Sequence, residues 1–176
     1  MLILLLGLVL LLGFVLPMGL AAAGYKLFFA REQSREPLLR KVDEFPGLQA
    51  DRFTFSSDRG QKLAGYKYTR ADLEPRGVVI FSQGLGLGGH CYYMALAAYF
   101  TAHGFLFLTY DATGTDNSEG QNCAGLEQGV IDLSRVIDYA RNDPEVRGPG
   151  TSLYLLYGRR PGLHPPVLDG GQCGSD

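Results

Sequence analysis

Ser82-Gln83-Gly84-Leu85-Gly86-Leu87-Gly88-Gly89-His90 is the stretch on which the reading of the fold turns. It follows Gly77 to Ser82, a short β-branched apolar run of the kind buried on both faces of a sheet. It precedes Cys91 to Ala102, an apolar segment that His103-Gly104 ends as a helix. A glycine-rich turn between strand and helix lets the backbone bend tightly, and it leaves N–H groups free at the helix start. Gly84, Gly86 and Gly89 fit G-x-G-x-x-G. Asp111 ends the next apolar run about 20 residues on, where a ribose-binding acid would stand in a dinucleotide fold. The flanking sequence provides the other reading.

Downstream, Phe105 to Tyr110 reads as a second buried strand and Asp111 to Gly125 as a polar loop. Leu126, Val130, Leu133, Ile137 and Ala140 recur at helical spacing until Asp143-Pro144, and Ser152 to Tyr157 reads as a third buried strand. Upstream, Asp51 to Thr69 reads as a hairpin. Phe53 and Phe55 alternate with polar neighbours, Ser57-Asp58-Arg59-Gly60 turns, and Leu63 to Tyr68 returns. A hairpin followed by strands alternating with helices predicts an α/β sheet with parallel core strands. Arg31 to Ala50, polar and carrying Pro37 and Pro46, reads as a linker with one helical turn.

Taken together these segments resemble the α/β-hydrolase superfamily. Gln83-Gly84 stands where its His-Gly usually precedes an oxyanion-hole residue. The resemblance makes Leu85 the residue whose backbone N–H donates to the oxyanion, with Gln83 and Gly84 shaping the loop. Residues 110–120, Tyr-Asp-Ala-Thr-Gly-Thr-Asp-Asn-Ser-Glu-Gly, resemble the family's Asp-x-x-Gly-x-Gly-x-Ser-x-Gly loop, with Asp116 at the second glycine. The hydrolase likeness runs from Phe53 to Gly158, whereas the nucleotide motif explains one loop and one acid. The expectation is therefore the N-terminal half of a hydrolase acting on ester or amide bonds. A Rossmann-like nucleotide-binding oxidoreductase and a membrane-tethered, non-catalytic interaction protein stand as alternatives.

The family's nucleophile sits on a G-x-S-x-G turn after the strand matching Ser152 to Tyr157. This chain continues Gly158-Arg159-Arg160-Pro161-Gly162, so the outer glycines remain but Arg160 occupies the serine position. Arginine has no hydroxyl or thiol to attack a carbonyl, and Pro161 lacks the second oxyanion N–H. His164, Asp169 and Asp176 lack the later strands that would orient a base and an acid. Ser118, Ser152, His90 and Cys91, taken singly, show no partner in the sequence. From Arg159 on, prolines and glycines crowd a segment without periodicity, which predicts disorder. The abrupt change reads as a shifted frame or a truncated gene.

Residues 1–24 are an uncharged apolar run long enough to span a bilayer, which takes about 20 residues. It reads as a transmembrane anchor, with a signal peptide cleaved near Ala21-Ala22-Ala23 as the competing reading. Lys26, Arg31, Arg35, Arg40 and Lys41 follow it, and positive flanks tend to stay cytoplasmic, but the side of the membrane stays open. The expected organisation is residues 1–24 anchor, 25–50 juxtamembrane linker, 51–158 half of a hydrolase domain, and 159–176 an aberrant tail. A net charge of −2 gives no field that attracts nucleic acid. Cys91, Cys123 and Cys173 show no metal-ligand spacing and read as free thiols, and neither metal nor cofactor is expected. The expected partners are the bilayer and, in a complete relative, a small-molecule or peptide substrate.

Overall fold

The computed structural model describes residues 2–35, 39–84, 89–146 and 152–157. Helix α1 runs Leu2–Phe28 and buries no side chain among the described residues. At 27 residues it extends about 40 Å, enough to cross a hydrocarbon core. Leu11–Val15 is wound as a π-helix, a segment that contains Gly13. The Pro17 ring would meet the carbonyl of Gly13 in regular α geometry, and the wider turn avoids that clash.

Strands β1 (Leu48–Ser56) and β2 (Lys62–Arg70) form the hairpin, in register from Leu48 opposite Arg70 to Ser56 opposite Lys62. Gly60 closes its turn at φ +80°, a conformation costly for residues with a Cβ. Strand β3 (Gly77–Ser82) runs parallel to β4 (Leu106–Tyr110) and to β5 (Ser152–Tyr157). Strand β2 pairs antiparallel with β4, giving the order β1-β2-β4-β3-β5. The predicted bounds of β3 and β5 coincide with those observed.

Alternation along the strands builds two apolar layers. Val79 and Phe81 of β3 and Phe107 of β4 pack with Tyr66, Tyr68, Met94 and Ala97. Met94 and Ala97 belong to helix α2 (Met94–Ala102), which a 3₁₀ turn, His90–Tyr93, leads into. Val78, Ile80, Leu106, Leu108 and Tyr110 pack on the other face with Val136 and Ala140 of helix α3 (Gly125–Asn142). Phe53 reaches that layer from β1 and stacks on Tyr139, ring centroids 4.0 Å apart.

Two expectations are corrected. The stripe of α3 that is buried consists of Gly125, Gln128, Asp132, Val136 and Ala140, while Leu126 and Val130 are exposed. Polar Gln128 and Asp132 take the inward position because they hydrogen-bond the hairpin turn at Ser57, at 2.9 and 2.6 Å. Strand β5, an apolar run that reads as buried, is an edge strand here because no further strand follows it among the described residues. It lies at the sheet edge, with Leu153, Tyr154 and Leu155 exposed.

The segment after α1 docks on the loop that follows β4. Ala30 and Glu32 form bridges to Asn122 and Thr115. The Arg31 guanidinium donates to the carbonyls of Asp116, Ser118 and Gly120 at 2.7, 3.0 and 2.7 Å.

Candidate active site

Parallel β3 and β4 end side by side, and their following loops meet beyond the strand ends. Open α/β sheets bind ligands outside the carboxyl ends of their strands. A cavity of about 170 Å³ lies here, lined by Gln83, Gly84, Thr113, Thr115, Leu126 and Val130 among others. Sites for drug-sized ligands start at about 300 Å³, so this space suits a small, mainly apolar group.

Gln83 is buried, and its Nε2 donates to Thr115 Oγ1 at 3.3 Å. Its Oε1 has no hydrogen-bond partner among the described residues. Of the loop expected from the sequence, Gln83 and Gly84 line this cavity. Leu85 lies outside the described residues, as do Gly86, Gly158, Arg160, Pro161, Gly162 and the tail.

The loop after β4 is held by carboxylates aimed inward. Asp111 is fully buried. Its Oδ1 accepts the His90 backbone N–H at 2.9 Å and lies 3.0 Å from His90 Nδ1. Its Oδ2 accepts from Tyr66 Oη and the Asn117 N–H, both at 3.3 Å. Asp116 accepts from the Ser34 N–H and Oγ and from the Gly89 N–H. This corrects the nucleotide reading, in which Asp111 would meet a ribose hydroxyl. A carboxylate enclosed by protein donors has no free oxygen to offer a ligand. His90, Asp111 and Asp116 place one ligand atom each within 4.8 Å of one another. N–H and O–H donors already point at the same carboxylate oxygens, and a cation would have to displace them.

Ser118 is buried. Its Oγ donates to the Asp111 carbonyl at 2.5 Å and accepts from the Ala64 N–H at 2.9 Å. That hydroxyl braces the loop against β2 and is not poised for attack. Ser152 pairs with Gly77 at the strand starts, the opposite end from the cavity.

His90 and Cys91 do have partners, contrary to the reading from sequence. His90 Nε2 lies 3.2 Å from Cys91 Sγ, and the ring stacks on Tyr66 with centroids 3.5 Å apart. Burial opposes charge on the imidazole, but hydrogen bonds to Asp111 and Cys91 outweigh it and push His90 up to about 9. The signal available in the sequence was a His-Cys pair opening a helix, with an acid closing the next strand.

No protein-family model matches the sequence, and none of the curated proteins matches it. Solved structures do resemble it. The Pyrococcus furiosus esterase Pf2001 superposes with a TM-score of 0.59 at 14% identity, over 74% of this chain and 46% of the esterase. The α/β hydrolase GrgF from Penicillium sp. sh18 gives 0.52 at 21% identity, over 61% and 37%. Brefeldin A esterase, a bacterial homologue of human hormone sensitive lipase, gives 0.50 at 14% identity, over 79% and 38%. The chain therefore has an α/β-hydrolase fold, and it spans less than half the length of each of these structures.

Proposed function

We propose that this chain is the N-terminal half of a membrane-anchored acyl hydrolase and that, as written, it has no serine-hydrolase turnover. The observation that carries the reading is the Gln83-Gly84 loop, which lines a cavity at the carboxyl ends of β3 and β4 in a sheet of hydrolase order. In a complete relative that loop would face a serine-derived tetrahedral intermediate. Its amides would stabilise the oxyanion while a histidine moves the proton. Here Arg160 stands at the nucleophile position by resemblance, and Pro161 removes a donor. Loss of one oxyanion donor costs about 2.7–4 kcal/mol in characterised enzymes, and loss of a triad nucleophile costs more.

The purified full chain is expected to remain unlabelled by a fluorophosphonate and to leave a short-chain aryl ester intact. Stoichiometric labelling of one serine, abolished by its change to alanine, would overturn the proposal. Arg160→Ser alone is expected to restore nothing, because Pro161 still lacks the second donor N–H.

The anchor rests on α1, a 27-residue helix that is apolar up to Lys26 in its last turn and buries no side chain. Alkaline carbonate extraction is expected to leave the full-length chain in the membrane pellet. Its appearance in the supernatant would exclude a spanning anchor, and a mature N-terminus near Gly24 would identify a cleaved signal.

A further inference from the structure

We propose that Cys91, His90 and Asp111 form a thiol–imidazole–carboxylate relay that makes Cys91 a covalent addition site for small, uncharged α,β-unsaturated carbonyl compounds. This inference does not depend on the hydrolase reading. It starts from the contacts that fix the His90 ring. Asp111 Oδ1 takes the backbone N–H at 2.9 Å and faces Nδ1 at 3.0 Å, while Tyr66 covers the ring face. A ring held this way aims Nε2 at Cys91 Sγ, 3.2 Å distant. A thiol beside an imidazole that a carboxylate orients is an arrangement that activates sulfur. Cys91 is half-buried rather than enclosed.

The charged and titratable groups around the relay define the ligand. Tyr66 and Tyr68 approach from β2, Asp111 and Asp116 from the loop after β4, and the Arg40 backbone N–H bonds the Cys91 carbonyl at 3.3 Å. Burial raises both tyrosines far above their usual value, so they stay neutral. Two carboxylates beside one imidazolium disfavour an anionic electrophile. His90, pushed up to about 9, carries its proton at neutral pH and donates Nε2–H toward the sulfur. In the addition, the Cys91 sulfur lone pair forms an S–C bond to the β-carbon. The C=C π pair moves onto the enolate, which then takes the proton from His90 Nε2. No group leaves and nothing is oxidised. The thiol proton goes to solvent before attack, and solvent later reprotonates His90.

Cys123 is the internal control. Burial pushes its thiol up, and its Sγ donates to the Ala30 carbonyl at 3.3 Å. The full chain in mild detergent is treated with N-ethylmaleimide from pH 6 to 9, and each cysteine's rate is read by peptide mass spectrometry. At pH 6.5 Cys91 is expected to react at least tenfold faster than Cys123. The advantage should shrink toward pH 9, where His90 loses its proton. Maleimide bearing a carboxylate should react more slowly at Cys91 than the neutral reagent. His90→Phe should lower the Cys91 rate at least tenfold and leave Cys123 unchanged. If that variant does not fold, the wild-type pH profile decides. Equal rates for the two thiols, rising in parallel with pH, would overturn the proposal.

Discussion

Replacing Asp132 by alanine is expected to lower unfolding stability by about 3–5 kcal/mol, because several buried donors lose their acceptor at about 1–3 kcal/mol each. The carboxylate has no exposed surface and gathers four donors. Its Oδ1 accepts from Ser57 Oγ at 2.6 Å, Thr113 Oγ1 at 3.0 Å and Gln128 Nε2 at 3.0 Å, and its Oδ2 accepts the Thr113 N–H at 2.7 Å. One side chain thus joins the hairpin turn, the loop after β4 and helix α3. Alanine leaves the Thr113 N–H without its acceptor. Asp132→Asn should cost less, about 1–2 kcal/mol, since it loses one charge-assisted bond rather than the cluster. Its amide oxygen still meets Thr113, and Gln128 Oε1, which has no partner among the described residues, is placed to receive the new N–H after a carboxamide flip. Urea denaturation of the full chain in detergent tests the order. An alanine variant within 0.5 kcal/mol of wild type, taken as about the scatter of surface substitutions, would refute the assignment.

The second large effect is expected at Gly114. Its φ of +73° is left-handed, and a Cβ there would lie 2.2 Å from the Asn122 carbonyl oxygen and 2.8 Å from the Cys123 nitrogen. Both contacts are backbone, so no rotamer change relieves them. Gly114→Ala should therefore cost about 3 kcal/mol or more, combining left-handed strain with a forced loop movement. Gly60 supplies the comparison. Its φ is +80°, yet a Cβ there would meet nothing within 4 Å. Gly60→Ala should cost only the conformational term, about 1–2 kcal/mol. Equal losses at the two positions would mean that the clash with Asn122 is relieved without cost.

The hairpin and strands β3 and β5 were legible because apolar runs and turn residues speak through local chemistry. The inward face of α3 was misread for a related reason. Periodicity assigns polar residues to solvent, and Gln128 and Asp132 are buried only because Ser57 and Thr113, distant in sequence, supply their partners. The His90–Cys91–Asp111 contacts depend on two loops meeting, which no spacing along one segment reports. Arg31 was counted as one of several charges flanking the apolar run. Its guanidinium instead closes three loop carbonyls, a role visible only once the loop after β4 has a shape.

That docking also bears on what the proposed anchor would allow the sheet to do. Ala30 bridges to Asn122 two positions after α1 ends at Phe28, and two residues extend at most about 7 Å. A flexible tether lets a domain explore a volume that grows with its length. This attachment has almost no slack. For a helix seated in a bilayer, the sheet could not swing freely in the water above it. The loop after β4, which also walls the cavity, would be held close to the lipid headgroups.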